Sequence, residues 1–224
     1  PYPPGYVCVN PRGAKGHWAR HQVFDWVSNE SPTLTKLVGD ARPELVCTKR
    51  GQFGYVTVDW ENPLKEWTFH AVSGAVTSQK FGHGLGVGDV NGDGRLDIIH
   101  KDGWFAQPTS DKEAWKAHKF VFAPRGGAQM FAYDVDGDGD IDVLSASALD
   151  DKIAWYENDG SQNFTERIIS TAADGARRVF AADVDGDGDI DVLSASVGDD
   201  KIAWYENDGS QNFSERTIST VANG

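Results

Sequence analysis

The sequence has little of what stabilises small disulfide-rich scaffolds or places a chain in a membrane. It contains two cysteines and one methionine in 224 residues. No apolar run approaches the ~18 residues of a membrane-spanning helix. Cys8 and Cys47 could form one disulfide or remain two buried thiols, and the sequence does not decide between these. A dense disulfide scaffold and a helical membrane span are both excluded.

Basic residues are also scarce. The chain has 21 Lys and Arg against 34 Asp and Glu, which gives a formal net charge of −13. A nucleic-acid or anionic-membrane partner would favour a basic surface, so neither is expected. At 39% hydrophobic and 11% aromatic residues, the composition is too apolar for a disordered chain. We therefore expect a folded, acidic protein.

The most informative feature is a nine-residue segment that occurs three times, at residues 89–97, 134–142 and 183–191. Oxygen-bearing side chains lie at its positions 1, 3, 5 and 9, and glycines at positions 4 and 6 permit the positive φ angles of a tight loop. Ca²⁺ prefers six to eight oxygen ligands, and the carbonyl of residue 7 can supply one of them. We predict three calcium sites, formed by Asp89, Asn91, Asp93, Arg95 and Asp97, by Asp134, Asp136, Asp138, Asp140 and Asp142, and by Asp183, Asp185, Asp187, Asp189 and Asp191.

The EF-hand is the competing interpretation, because its loop also begins with alternating acidic residues. An EF-hand needs a Glu at position 12 and flanking helices. Position 12 is His100, Ser145 or Ser194 here, and strand-like runs such as Val143-Leu144 follow position 9. The loops are therefore predicted to join β-strands.

A longer repeat surrounds each loop. Residues 134–170 and 183–219 are identical except at Ala148/Val197, Leu149/Gly198, Thr165/Ser214 and Ile168/Thr217. A period of about 45–50 residues without amphipathic helices indicates one four-stranded sheet per repeat, as in the blades of a β-propeller. We predict an all-β propeller segment with blades at residues 5–27 (the outer half of a blade), 32–72, 82–122, 127–170 and 176–219. In the blade at 32–72 the loop is reduced to residues 40–44, and no metal is expected there.

About four and a half blades are therefore expected. Either the natural polypeptide is longer and closes a ring of roughly seven or eight blades, or its open edges meet a second copy. Self-association through these edges is a possible mode of assembly.

These residues resemble a known family. The loops are entered by Phe-Ala-Ala-Asp or Gly-Val-Gly-Asp and are followed by Ile-Asp-Val-Leu-Ser-Ala-Ser and Ala-Trp-Tyr-Glu-Asn-Asp-Gly, a pattern similar to the FG-GAP/VCBS repeats of integrin-α-like propellers. The resemblance is strong over residues 82–219 and weak over 1–81. It implies calcium in the three loops, an extracellular, periplasmic or cell-surface location, and service in adhesion or carbohydrate binding.

Two groups of residues are candidates for ligand binding. Trp155 and Trp204 occupy equivalent repeat positions, where they could form an aromatic shelf for sugars or fill space between blades. The second group lies near the inner strands and varies between repeats. It consists of His83, Gln129, Arg177 and Arg178. By contrast, three histidines follow tryptophans at matching positions and are predicted to pack within blades, namely His21 after Trp18, His70 after Trp67 and His118 after Trp115.

The expected function is a secreted binding or adhesion module for a glycan or an extracellular protein. No catalytic motif is present, and the loop carboxylates cannot serve both a metal and general acid–base chemistry. These observations favour a non-enzymatic role without deciding it. The alternatives are a propeller domain of a carbohydrate-active enzyme of lyase or dehydratase type, and a structural repeat protein that self-assembles.

Overall fold

The computed structural model describes residues 4–13, 15–29, 31–39, 41–76 and 84–222. All of the regular structure in these residues is β, which confirms the predicted all-β class. The chain divides into two compact units, Pro1–Gly82 and His83–Gly224. Among the described residues, no helix is long and apolar enough to cross a membrane.

The first unit contains two antiparallel sheets. The first sheet has two strands, β1 (Gly5–Val9) and β2 (Ala19–Phe24). The second sheet has four strands in chain order, namely β3 (Thr33–Thr35), β4 (Glu44–Lys49), β5 (Gln52–Thr57) and β6 (Thr68–Ala75). Phe24, Cys47 and Val56 form a buried apolar cluster in this unit.

The second unit contains three four-stranded antiparallel sheets, each with its strands in chain order. The third sheet consists of β7 (Leu85–Gly88), β8 (Asp97–His100), β9 (Gly103–Ala106) and β10 (Lys116–Lys119). The fourth consists of β11 (Gly127–Tyr133), β12 (Asp142–Ser147), β13 (Lys152–Asn158) and β14 (Phe164–Ser170). The fifth consists of β15 (Ala176–Ala182), β16 (Asp191–Ser196), β17 (Lys201–Asn207) and β18 (Phe213–Ser219).

These three sheets pack face to face. Ile99 and Trp104 of the third sheet share a buried cluster with Met130 and Tyr156 of the fourth. Leu144, Ile153 and Trp155, on the other face of the fourth sheet, form a second cluster with Val179, Val192 and Tyr205 of the fifth. Because both faces are covered, strands such as β12 are buried throughout and do not alternate in polarity.

The first strands of the third and fourth sheets approach each other closely. A Cβ added to Gly86 would lie 2.6 Å from the Met130 carbonyl oxygen, and one added to Gly88 would lie 2.2 Å from the Ala132 Cβ. These distances leave no room for a larger residue at these two positions of β7.

The near-identical repeats show what the next sheet contributes. Val135 of the fourth sheet is 2% exposed, whereas its equivalent in the fifth sheet, Val184, is 43% exposed. The side chains are the same, so the difference arises from the fifth sheet covering the fourth. The fifth sheet consequently presents an apolar face to solvent in the described structure.

The two cysteines are both free, with Cys8 exposed and Cys47 buried. Burial raises the pKa of the Cys47 thiol to about 12. Of the histidines in the tryptophan-containing segments, two pack as predicted, since His70 stacks on Tyr55 and His118 stacks on Trp104.

Candidate functional site

The three acidic loops join the first strand to the second strand in the third, fourth and fifth sheets. Their glycines have the positive φ angles that the spacing predicts, for example 77° at Gly137 and 96° at Gly139. A side chain is strained at such angles, so glycine at positions 4 and 6 is what lets the chain turn this tightly.

In the fourth sheet, main-chain N–H groups hold the loop carboxylates in place. Asp134 accepts hydrogen bonds from Gly137 N at 2.8 Å and from Gly139 N at 3.0 Å, and Asp138 accepts one from Asp140 N at 2.9 Å. Each of Asp134, Asp136 and Asp138 offers an oxygen, and these oxygens all lie within 4.8 Å of one another. Three carboxylates therefore converge on one point.

The fifth sheet repeats this arrangement. Asp183 accepts hydrogen bonds from Gly186 N at 2.6 Å and from Gly188 N at 3.2 Å. The oxygens of Asp183, Asp185 and Asp187 also lie within 4.8 Å of one another. The two loops with the same sequence thus place the same donor set.

The clustering has an electrostatic cost. Burial, together with the neighbouring Asp138 and Asp134 carboxylates, raises the pKa of Asp136. In the fifth sheet, desolvation and the nearby Asp187 and Asp191 carboxylates likewise raise the pKa of Asp185. A hard cation would relieve this repulsion, and a donor set made only of oxygens fits Ca²⁺ rather than a soft transition metal.

The loop of the third sheet differs in composition. Asn91 replaces a carboxylate, and the Arg95 guanidinium forms an ion pair with Asp93. The backbone bonds are nonetheless similar, since Asp89 accepts from Asp93 N at 3.0 Å and from Gly94 N at 2.7 Å. Of the three predicted calcium loops, two gather three carboxylates and this one does not.

Position 9 of each loop has a structural role that the spacing alone does not reveal. Asp97, Asp142 and Asp191 are at most 1% exposed. Asp142 accepts from Val135 N at 3.0 Å and from Asn158 N at 2.8 Å, so each of its oxygens holds one main-chain N–H. Burial raises the pKa of Asp142 to about 6 despite these bonds. Each oxygen keeps a second lone pair that can still face a cation.

The shortened loop of the second sheet also has a buried carboxylate at the equivalent position. Glu44 is 7% exposed and accepts hydrogen bonds from Leu37 N at 2.9 Å and from Val38 N at 3.2 Å. It begins β4, just as Asp142 begins β12. Sequence reasoning missed this role, although an acidic residue at the first position of each second strand was the available signal.

Asp140 and Asp189, at position 7, approach the turn after the third strand. A Cβ on Gly160 would lie 2.5 Å from Asp140 Oδ2, and one on Gly209 would lie 2.6 Å from Asp189 Oδ2. The loop side chains thus meet the later turn, and glycine is favoured there because Gly160 and Gly209 have φ angles of 74° and 76°.

A polar groove of about 240 Å³ lies beside the acidic loop of the fourth sheet. Glu157 and Arg167 line it as an ion pair, with 2.7 Å between Arg167 Nη2 and Glu157 Oε2. Asp136 belongs both to the loop and to this groove. The complete lining is Asp136, Trp155, Glu157 and Arg167 from the fourth sheet and Ser210, Gln211 and Asn212 from a turn of the fifth.

The two candidate tryptophans lie in different environments. Trp155 is 2% exposed within the core between the fourth and fifth sheets. Its buried indole N–H has no hydrogen-bond partner among the described residues. Trp204 is partly exposed, with the Arg216 guanidinium 5.6 Å from its ring centroid. The Trp155 ring thus fills space between sheets and is not open to a sugar.

The inner-strand candidates are also separated. Gln129 accepts a hydrogen bond from Val179 N at 3.2 Å and so links β11 to β15. Arg177 and Arg178 are exposed on β15. His83 lies outside the described residues.

Comparison with known proteins identifies the repeats. A model of the FG-GAP-like repeat matches residues 134–194 and 183–224. Residues 134–224 are FG-GAP-like repeats. No curated protein is a significant match to the chain. The matched FG-GAP-like segment contains both loops in which three carboxylates converge.

Two solved structures share the fold of the chain. A lectin from Agrocybe aegerita that recognises non-reducing terminal N-acetylglucosamine has a TM-score of 0.55 at 16% identity, covering 86% of this chain and 52% of the lectin. The V. cholerae biofilm matrix protein Bap1 has a TM-score of 0.52 at 17% identity, covering 97% of this chain and 36% of that protein. At such identities the likeness concerns the fold alone.

Proposed function

We propose that the chain is a calcium-stabilised segment of a β-propeller and acts outside the cell as a binding module for carbohydrate or a partner protein. The observation that carries this proposal is the convergence of three carboxylates in each of two FG-GAP-like loops. The successive four-stranded sheets, packed face to face in the second unit, support a propeller arrangement.

The metal would be structural. Asp134, Asp136 and Asp138 would hold one ion and Asp183, Asp185 and Asp187 another, and the loop at 89–97 would hold a third with Asn91 in place of one carboxylate. Calcium supplies positive charge that neutralises the clustered carboxylates. The loop glycines and main-chain N–H groups orient the oxygens before the ion binds, so the binding free energy would add to the stability of the fold.

The groove is the candidate ligand site. Its Glu157 carboxylate can accept hydrogen bonds from sugar hydroxyls, and its Arg167 guanidinium can donate to hydroxyl or carbonyl oxygens. Gln211 and Asn212 add neutral amides from the next sheet. Lectin and biofilm-matrix proteins among the structural neighbours support a carbohydrate or extracellular partner and a location outside the cell.

Thermal unfolding with and without calcium tests the structural role of the metal. At a free calcium concentration of about 100 times the dissociation constant, one site would add about 2.7 kcal/mol to the free energy of unfolding. We expect excess EGTA to lower the melting temperature well beyond the effect of an equal ionic strength of KCl. An unchanged melting curve would refute the proposal.

A glycan array tests the groove, with an internal control. Glu157→Ala and Arg167→Ala should abolish binding to any glycan that the wild-type chain retains. Glu206 and Arg216 form the equivalent ion pair in the fifth sheet but do not line this groove. Their alanine variants should therefore bind normally. Equal loss in both pairs of variants, or no glycan retained by the wild type, would count against this site.

The exposed apolar face of the fifth sheet favours a second candidate role, self-association. Val184 and Ile218 are 43% and 58% exposed there. Light scattering over a range of concentrations tests this role: a mass that rises with concentration and falls in Val184→Lys would support it, and a constant monomer mass would exclude it.

A further inference from the structure

Asn158 is a buried residue at the end of β13 whose side chain contacts two of the acidic loops. Its Nδ2 donates one hydrogen bond to the Val90 carbonyl at 3.0 Å and another to the Ile141 carbonyl at 3.0 Å. Val90 belongs to the loop of the third sheet, at residues 89–97, and Ile141 to the loop of the fourth sheet, at 134–142. An amide nitrogen has two hydrogens, so both are engaged.

The remaining polar atoms of Asn158 are fixed as well. Its main-chain N–H donates to Asp142 Oδ1 at 2.8 Å, and its Oδ1 accepts from Gln162 N at 3.1 Å. The residue is 1% exposed. A shift of Asn158 would therefore disturb Asp142, at position 9 of the loop at 134–142. In the same way, a displacement of that loop would be transmitted through Asn158 to Val90.

We propose that Asn158 couples the two loops, so that calcium bound at residues 134–142 stabilises the loop at 89–97 in the neighbouring sheet. This inference rests on the proposed calcium function. An ion fixes residues 134–142, including Ile141 and Asp142. Asn158 is bonded to both of these residues and holds the Val90 carbonyl. If the loop at 89–97 also binds calcium, each ion raises the affinity for the other by the same factor.

The fifth sheet provides a matched comparison. Asn207 occupies the equivalent position, accepts from Gln211 N at 3.0 Å, and donates to Asp191 Oδ1 at 2.8 Å and to Ile190 O at 3.1 Å. In the part of the chain that the structure describes, Asn207 makes no bond to the loop at 134–142 that would correspond to the bond between Asn158 and Val90. The local bonds are thus retained and the bond between sheets is missing.

Hydrogen exchange measured by mass spectrometry on the full chain tests the coupling, with calcium alone as the probe. Asp93→Ala removes a calcium ligand from the loop at 89–97, so that calcium can affect this loop only by binding to another loop. In this protein we expect calcium to slow amide exchange at residues 89–97 by roughly fivefold, the effect of about one additional hydrogen bond. Adding Asn158→Ala should remove this protection, whereas adding Asn207→Ala should leave it intact.

A second comparison keeps Asn158 intact in case Asn158→Ala does not fold. In Asp93→Ala/Asp138→Ala only the loop at 183–191 remains competent, and calcium should not protect residues 134–142. The coupling would be overturned if calcium protected residues 134–142 in Asp93→Ala/Asp138→Ala as much as it protects residues 89–97 in Asp93→Ala. It would also be overturned if the protection of residues 89–97 survived Asn158→Ala. Failure of calcium to protect residues 134–142 in the Asp93→Ala protein would instead overturn the proposed calcium function.

Discussion

Replacing Asp142 by alanine should destabilise the second unit even when no calcium is present. The carboxylate is fully buried and accepts one main-chain N–H on each oxygen, from Val135 and from Asn158. A hydrogen bond to a charged group contributes about 1.5–3 kcal/mol, and its loss leaves a buried donor unpaired. Desolvation of the carboxylate opposes this gain, as its raised pKa indicates. We therefore expect a net loss of about 2–4 kcal/mol in the free energy of unfolding.

The assay is thermal or urea unfolding in excess EGTA, which separates the hydrogen bonds of Asp142 from any contribution of a metal. For a unit of this size the loss corresponds to a decrease in melting temperature of about 5–15 °C. Asp138→Ala is the control, because Asp138 is an exposed residue of the same loop and should cost less than about 1 kcal/mol in EGTA. Equal effects of the two substitutions would refute the assignment of Asp142 as a structural residue.

Three further substitutions test other contacts. Tyr156→Phe removes a buried hydroxyl that donates to the Phe122 carbonyl, and urea unfolding should show a loss of about 1–2 kcal/mol; no loss would contradict that bond. Lys152, hydrogen-bonded to Glu166 at 2.5 Å, lowers the pKa of that carboxyl below its ordinary value of 4.5. A lowered folded-state pKa stabilises the fold above the unfolded pKa, and this contribution is lost as the pH falls through the folded-state pKa. Lys152→Met should therefore flatten the decrease in stability below about pH 4.5, and an unchanged pH profile would argue against the pair. Gly54→Ala would place a Cβ 2.3 Å from a main-chain oxygen of β6, so it should lower the melting temperature of the first unit; a neutral result would contradict the packing of β5 against β6.

The turns between strands could be predicted from the sequence because they depend on the residues within each turn. The glycines at positions 4 and 6 of each loop, with strand-like apolar runs after position 9, predicted turns between strands, and each loop does join two paired strands. The position-9 aspartates were predicted only as metal ligands. Their second role depends on N–H groups brought close by folding, such as that of Asn158, sixteen residues from Asp142.

Contacts between sheets could not be predicted in this way. Trp155 and Trp204 occupy identical sequence surroundings, yet one is buried and the other partly exposed. The fifth sheet covers Trp155, whereas among the described residues no further sheet covers Trp204. The bond between Asn158 and Val90 spans 68 positions of the chain, and no pattern within a single repeat indicates it. Such features depend on which sheet lies next to which.

Calcium binding to the purified chain, measured by isothermal titration after removal of bound metal, tests the central claim most directly. The account predicts that one binding site is lost when Asp138 is replaced by alanine and a second when Asp187 is also replaced, because each belongs to one of the two clusters of three carboxylates. Heat changes no larger than those of calcium dilution into buffer would contradict it.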